Sequence, residues 1–167
     1  GDQGLQGIQG VPGSGFAASV VNRTSTGSST AQVILNYILI PANTFSTGDI
    51  WSYKAFFYKG VVFPGAVCSV KMYISDSTGF SGTYELIGVH KMGATARGMT
   101  VGRDFYVEPT FTSGQDSNSD TQNSPYFQTS DSIDTWAIDW TVEQYLIISA
   151  VNADPSNPAF NVGAKIY

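Results

Sequence analysis

The chain has 167 residues and a formal net charge of −5, with 13% charged, 13% aromatic and 42% hydrophobic residues. That balance excludes a disordered chain, which would carry more charge and fewer aromatics. It also excludes recognition of a phosphate backbone, which needs clusters of Lys and Arg that this sequence lacks.

The N-terminus carries the strongest pattern. Glycine stands at Gly1, Gly4, Gly7, Gly10 and Gly13, separated by Asp2-Gln3, Leu5-Gln6, Ile8-Gln9 and Val11-Pro12. Three polyproline-type strands wind round one axis only if every third residue lacks a side chain, so this register predicts a collagen-like triple helix and hence three chains. A flexible linker would satisfy the glycines too, but it would rarely select Leu5, Ile8 and Val11. Residues 1–15 are therefore expected to form the tail end of a longer stem, spanning about 40 Å at roughly 3 Å per residue. Residues 16–167 then form a head of about 150 residues, the usual size of one domain.

Strand signals dominate the head, and helical periodicity is nearly absent. In chain order the expected strands are Phe16 to Asn22, Gln32 to Ile40, Ile50 to Tyr58, Ala66 to Ser75, Tyr84 to His90, Met99 to Thr110, Ile133 to Asp139, Gln144 to Val151 and Phe160 to Ile166. Strands broken by Gly, Ser, Asn and Pro turns predict an all-β antiparallel sandwich of jelly-roll type. Several strands are apolar on both faces, notably Val33 to Ile40, Trp51 to Tyr58 and Leu146 to Ile148. A strand with one wet face should alternate cleanly, so this surplus predicts contact with neighbouring subunits and a homotrimer.

Three polar loops interrupt the strands: Ser75 to Thr83, Thr112 to Ser132 and Asn152 to Asn161. The second is the longest, and long loops in compact domains tend to carry function. Its Asp116, Asn118, Asp120, Gln122 and Asn123 could hydrogen-bond sugar hydroxyls beside the aromatic faces of Tyr126 and Phe127, making this the expected ligand-binding segment. Asp116, Asn118 and Asp120 also have the alternate spacing with which calcium loops begin. The pattern then fails, because no Gly follows Asp120 and Phe127 stands where a bidentate Glu is needed, so a plain Asx-rich turn is the stronger reading. Every charged residue between Arg103 and Lys165 is acidic, consistent with a solvated surface or with a face that attracts cations.

Other candidate chemistry is sparse. Cys68 is the single cysteine, so no intrachain disulfide is available, and its alternation with Ala66, Val70 and Met72 makes it a buried small hydrophobe. His90 is the single histidine, which excludes a multi-histidine metal centre, and no nucleophile elbow or phosphate-binding loop occurs. Many acids are present, but nothing selects a glycosidase pair. Trp136 and Trp140, with Ile138 between them, suit a core face better than an exposed sugar platform. No enzyme and no cofactor are expected. No run of roughly 18 apolar residues occurs to cross a membrane as a helix.

The chain as a whole resembles the C-terminal part of bacteriophage fibre proteins, in which collagen-like triplets precede a trimeric β-sandwich head. Ile40-Pro41-Ala42-Asn43-Thr44-Phe45-Ser46-Thr47-Gly48-Asp49-Ile50 is similar to a stretch that recurs in tail and head fibre domains, and Tyr145 to Ala153 is similar to their closing strands. The resemblance implies an adhesive component on the surface of a virion, joined to other virion proteins through its N-terminal side and binding a host cell-surface receptor, glycan or protein. Two alternatives stand beside it. One is a structural virion decoration or trimerisation module with no receptor. The other is a secreted collagen-stem trimer of the complement or tumour-necrosis type, for which Asn22-Arg23-Thr24 would offer a glycosylation sequon.

Overall fold

The computed structural model describes residues 18–24, 32–59, 68–93, 96–115, 133–152 and 160–166. The glycine triplets and the segment 116–132, with every residue named above as a ligand or calcium candidate, lie outside the described residues. Ten strands are present: β1 (Ala18–Thr24), β2 (Val33–Ile40), β3 (Ile50–Lys59), β4 (Cys68–Ser75), β5 (Tyr84–Met92), β6 (Gly98–Val107), β7 (Thr112–Gln115), β8 (Ile133–Trp136), β9 (Gln144–Asn152) and β10 (Phe160–Ile166). They form two antiparallel sheets, one of six strands in the order β1-β10-β3-β6-β7-β8 and one of four in the order β2-β9-β4-β5. The described residues form a β-sandwich, and no helix occurs among them.

Nine of these strands fall where the sequence pattern places them, and β7 is the addition. Thr112-Ser113-Gly114-Gln115 has no apolar alternation to announce a strand, and it pairs because β6 and β8 flank it. Gly114 is required there: a Cβ would come within 2.8 Å of the Phe105 ring. Two expected strands are shorter than their pattern. β6 stops at Val107, before the turn containing Pro109, and β8 stops at Trp136, so Trp140 lies in the following turn rather than on a common strand face with Trp136.

The core lies between the sheets. Trp51, Tyr53, Ala55 and Phe57 from β3 and Met99, Val101, Phe105 and Val107 from β6 point inward, against Cys68, Val70, Met72, Ile74 of β4 and Leu146, Ile148 and Ala150 of β9. Alternate residues of a strand share one face, which is why these sets are spaced by two. Trp51 stacks on Phe105 with centroids 4.2 Å apart and on Phe45 at 5.4 Å. Fully burying each such side chain contributes about 1.5–3 kcal/mol.

The double-sided burial of β9 has a local cause. Ile147 and Ser149 face away from the core yet are fully buried, because the connection 76–83 folds back over the outer face of the four-stranded sheet. Phe80 packs edge-on against Tyr73 at 5.0 Å and Tyr84 at 5.2 Å, and Gly79 lies against Ile34. Gln32 donates to both Tyr73 Oη and Ser149 Oγ. On β2, by contrast, Tyr37 and Leu39 are exposed, so its outer face is not buried within the chain.

Strand directions sort the connections into two ends. The connections 41–49, 76–83, 108–111 and 137–143 gather at the end marked by Ile50 and Val107, while the strand ends flanking 25–31, 60–67 and 153–159 lie at the opposite end, marked by Gly98. Gln115 and Ile133, which flank 116–132, pair one residue past Phe105–Gly114 and so lie near the Ile50 end. β1 starts level with Tyr53 and runs toward the Gly98 end.

Candidate functional site

At the Ile50 end, the segment 137–143 forms a ridge with a cleft on either side. Its shape follows from its anchors. Trp136 Nε1 donates to the Leu86 carbonyl at 2.8 Å, tying β8 to the opposite sheet. Trp140 Nε1 donates to Thr112 Oγ1 at 2.9 Å, and its ring meets Phe45 and Trp51 edge-on. Both indoles are buried and bonded inside the fold, so they fix the ridge rather than forming a platform for a ligand.

Between these anchors the chain is held by side-chain bonds to its own backbone. Asp139 Oδ1 accepts from Thr141 N at 2.9 Å and from Thr141 Oγ1 at 2.6 Å, and these bonds hold its carboxyl below the usual range. Gln144 Nε2 donates to the Asp139 carbonyl at 2.8 Å. Asp139 is therefore ionised at neutral pH, with Oδ2 left for a ligand.

The larger cleft has a volume of about 370 Å³ and is walled by Asn43, Phe45, Ser46, Thr47, Val107, Glu108, Pro109, Thr110, Phe111 and the ridge. One wall is the turn after β2. Asn43 sits at φ 59° and Gly48 at φ 95°, left-handed conformations that Asn and Gly accept most readily. Asn43 N donates to the Trp140 carbonyl at 2.7 Å, Gly48 N to the Val107 carbonyl at 2.8 Å and Ser46 N to Asp49 Oδ2 at 2.8 Å. These bonds leave the hydroxyls of Ser46, Thr47, Thr110 and Thr141 and the exposed Phe111 ring along one trough. The smaller cleft, about 240 Å³, lies across the ridge and is lined by Ile74, Asp76, Thr83, Glu85, Ala137, Ile138, Asp139, Val142 and Gln144. Asp76 Oδ1 accepts from Thr83 N at 3.0 Å, which fixes that wall.

Among the described residues no basic side chain lines either cleft. The arrangement can accept and donate hydrogen bonds to hydroxyl groups and can stack an apolar ring face, and it disfavours anions. Among the described residues no three His, Cys, Asp or Glu side chains are grouped to hold a metal ion. His90 and Cys68 come to the same inner face through the pairing of β4 and β5, but both are fully buried, away from the clefts.

Sequence reasoning located only part of this region. The turn 40–50 stood out only through its resemblance to fibre domains, and Phe111, Glu108 and Thr110 carried no motif. The positive-φ pair Asn43 and Gly48 around Phe45 was the available signal, since it marks a turn built to hold a fixed shape. Comparison with protein-family models, curated proteins and solved structures gives no match.

Proposed function

We propose that the protein is the head of a trimeric virion fibre that attaches to a neutral glycan on a host cell surface. The sheet orders support a jelly-roll reading: β1-β10-β3-β6 faces β2-β9-β4-β5, the arrangement of a double Greek key, with β7-β8 added as a hairpin at the β6 edge. A glycine-register stem before such a head would hold three sites at fixed distances, so that weak individual contacts add as avidity.

The observation that carries the glycan reading is the larger cleft. Its volume falls within the roughly 300–1,000 Å³ of small-molecule sites, and its lining combines hydroxyls, an ionised carboxylate and the Phe111 ring with no cation. Sugars offer that wall both hydroxyls and an apolar C–H face. Sialic and uronic acids would meet Asp139 and Glu108 and be repelled. The polar loop 116–132 remains a second candidate contact, and the strand ends that flank it, Gln115 and Ile133, lie toward the same end of the sandwich as the clefts.

A glycan array probed with the assembled protein tests the reading. Binding is expected to neutral oligosaccharides and to be lost in Phe111→Ala combined with Asp139→Ala. Loss confined instead to Tyr126→Ala and Asp116→Ala would move the site to the loop. No binding to any glycan would favour a structural decoration.

A further inference from the structure

We infer that the outer face of the six-stranded sheet, around Ile50, Phe56 and Tyr106, is the surface on which neighbouring copies of this chain meet. The inference rests on the trimeric reading above and assigns it a face. Ile50, Phe56 and Tyr106 are 72%, 50% and 40% exposed, and all three point away from the core, since their strand neighbours Trp51, Phe57 and Phe105 point into it. Ile50 and Tyr106 are register partners across β3 and β6, and Phe56 stacks on Tyr58 with centroids 6.0 Å apart further along β3. Scattered single hydrophobes on a surface need no explanation, but a group on one sheet face does.

The two sheets treat their outer faces differently. The four-stranded sheet lays the connection 76–83 over part of its own, where Tyr73 and Ile147 are buried, and leaves Tyr37 and Leu39 of β2 exposed. The three large side chains of the six-stranded sheet receive no such cover. β1, the strand that follows the glycine register, is an edge of this sheet, so three chains joined before Ala18 would bring their six-stranded sheets into one another's neighbourhood.

Shape and charge agree with a second copy as the occupant. On this face Lys54, Phe56 and Tyr58 have glycine as a register partner, at Gly102, Gly163 and Gly98 respectively. A Cβ on Gly98 would come within 3.1 Å of the Phe56 ring, so the ring lies against bare backbone. Large side chains beside shallow seats suit a heterologous contact, in which one copy's projection fills the next copy's hollow and three such contacts close a ring. The face carries Lys54 as well as Asp104, which accepts from Ser52 Oγ. A chain of net charge −5 can approach its own copy there with less repulsion than at the acidic clefts.

Light scattering on the full chain tests this. The intact protein is expected at three times 17.8 kDa; Ile50→Asp and Phe56→Asp should lower the mass threefold with an unchanged circular dichroism spectrum, while Tyr37→Asp and Leu39→Asp keep the trimer. A monomeric parent protein would overturn both the inference and the trimeric reading. A trimer that survives Ile50→Asp and Phe56→Asp but dissociates with Leu39→Asp would overturn the inference alone. Maleimide labelling decides the case in which the Asp variants fail to fold. Cys68 is buried, and the thiol of F56C should react far more slowly in the native protein than that of L39C; equal rates overturn the assignment.

Discussion

At the scale of single residues, the sandwich holds one polar knot. Tyr53 Oη and His90 Nε2 are 2.7 Å apart between the sheets, with Arg103 beside Tyr53 across β3 and β6. Burial, and secondarily the Arg103 charge, lower His90 to about 3, so the imidazole is neutral in the fold while an unfolded chain titrates near 6.5. The unfolded state therefore binds more protons between those values, and stability falls as pH drops from about 6.5 toward 3, by about 1.4 kcal/mol per pH unit from this group. Denaturant unfolding at pH 7, 5 and 4 should show that slope in the parent protein and a shallower one in His90→Gln. Carboxylates contribute to both proteins alike, so the difference isolates His90. Equal slopes would mean that the imidazole reaches water. His90 was legible as a lone histidine, but its partner was not, because Tyr53 lies 37 residues away and only sheet pairing joins them.

At the scale of elements, the short hairpin β7-β8 shows where sequence patterning stops. Strands with strong apolar alternation such as β3, β4 and β9 could be read directly, since the inward set must be apolar to form a core. β7 is polar and contains glycine, and it becomes a strand through the ladders on either side of it. The double-sided burial of β9 was legible as a pattern, but its cause was not: the cover is the chain's own loop carrying Phe80. The clefts were less legible still, because their walls come from four connections separated in sequence and hold no shared motif. The hairpin's attachment is testable at Thr112, whose hydroxyl is the acceptor for the buried Trp140 indole. Thr112→Val keeps the shape and leaves that N–H unpaired, which should cost about 1–3 kcal/mol in urea unfolding. Because Trp140 anchors the ridge, the same variant should also weaken glycan binding. A variant with unchanged stability would show that the indole finds another acceptor and that the ridge is held chiefly by aromatic packing.

At the scale of the whole molecule, the question is whether the stem or the head makes the assembly. Residues 1–15 carry five glycine positions in register and a single proline, Pro12, and a collagen helix depends on proline-type residues to preset its backbone. These residues taken by themselves fix many dihedrals for few contacts. A sheet face, by contrast, presents its side chains already ordered, so apolar burial there is opposed by little further conformational entropy. Removing residues 1–13 should therefore leave the solution mass at three chains and lower the midpoint of thermal unfolding only slightly, measured by light scattering and calorimetry on the shortened chain. A shortened chain that becomes monomeric would assign assembly to the stem and reduce the Ile50, Phe56 and Tyr106 face to a secondary contact. If the trimer persists, the threefold contact belongs to the strands of the sandwich, and the glycine triplets add to a contact already made.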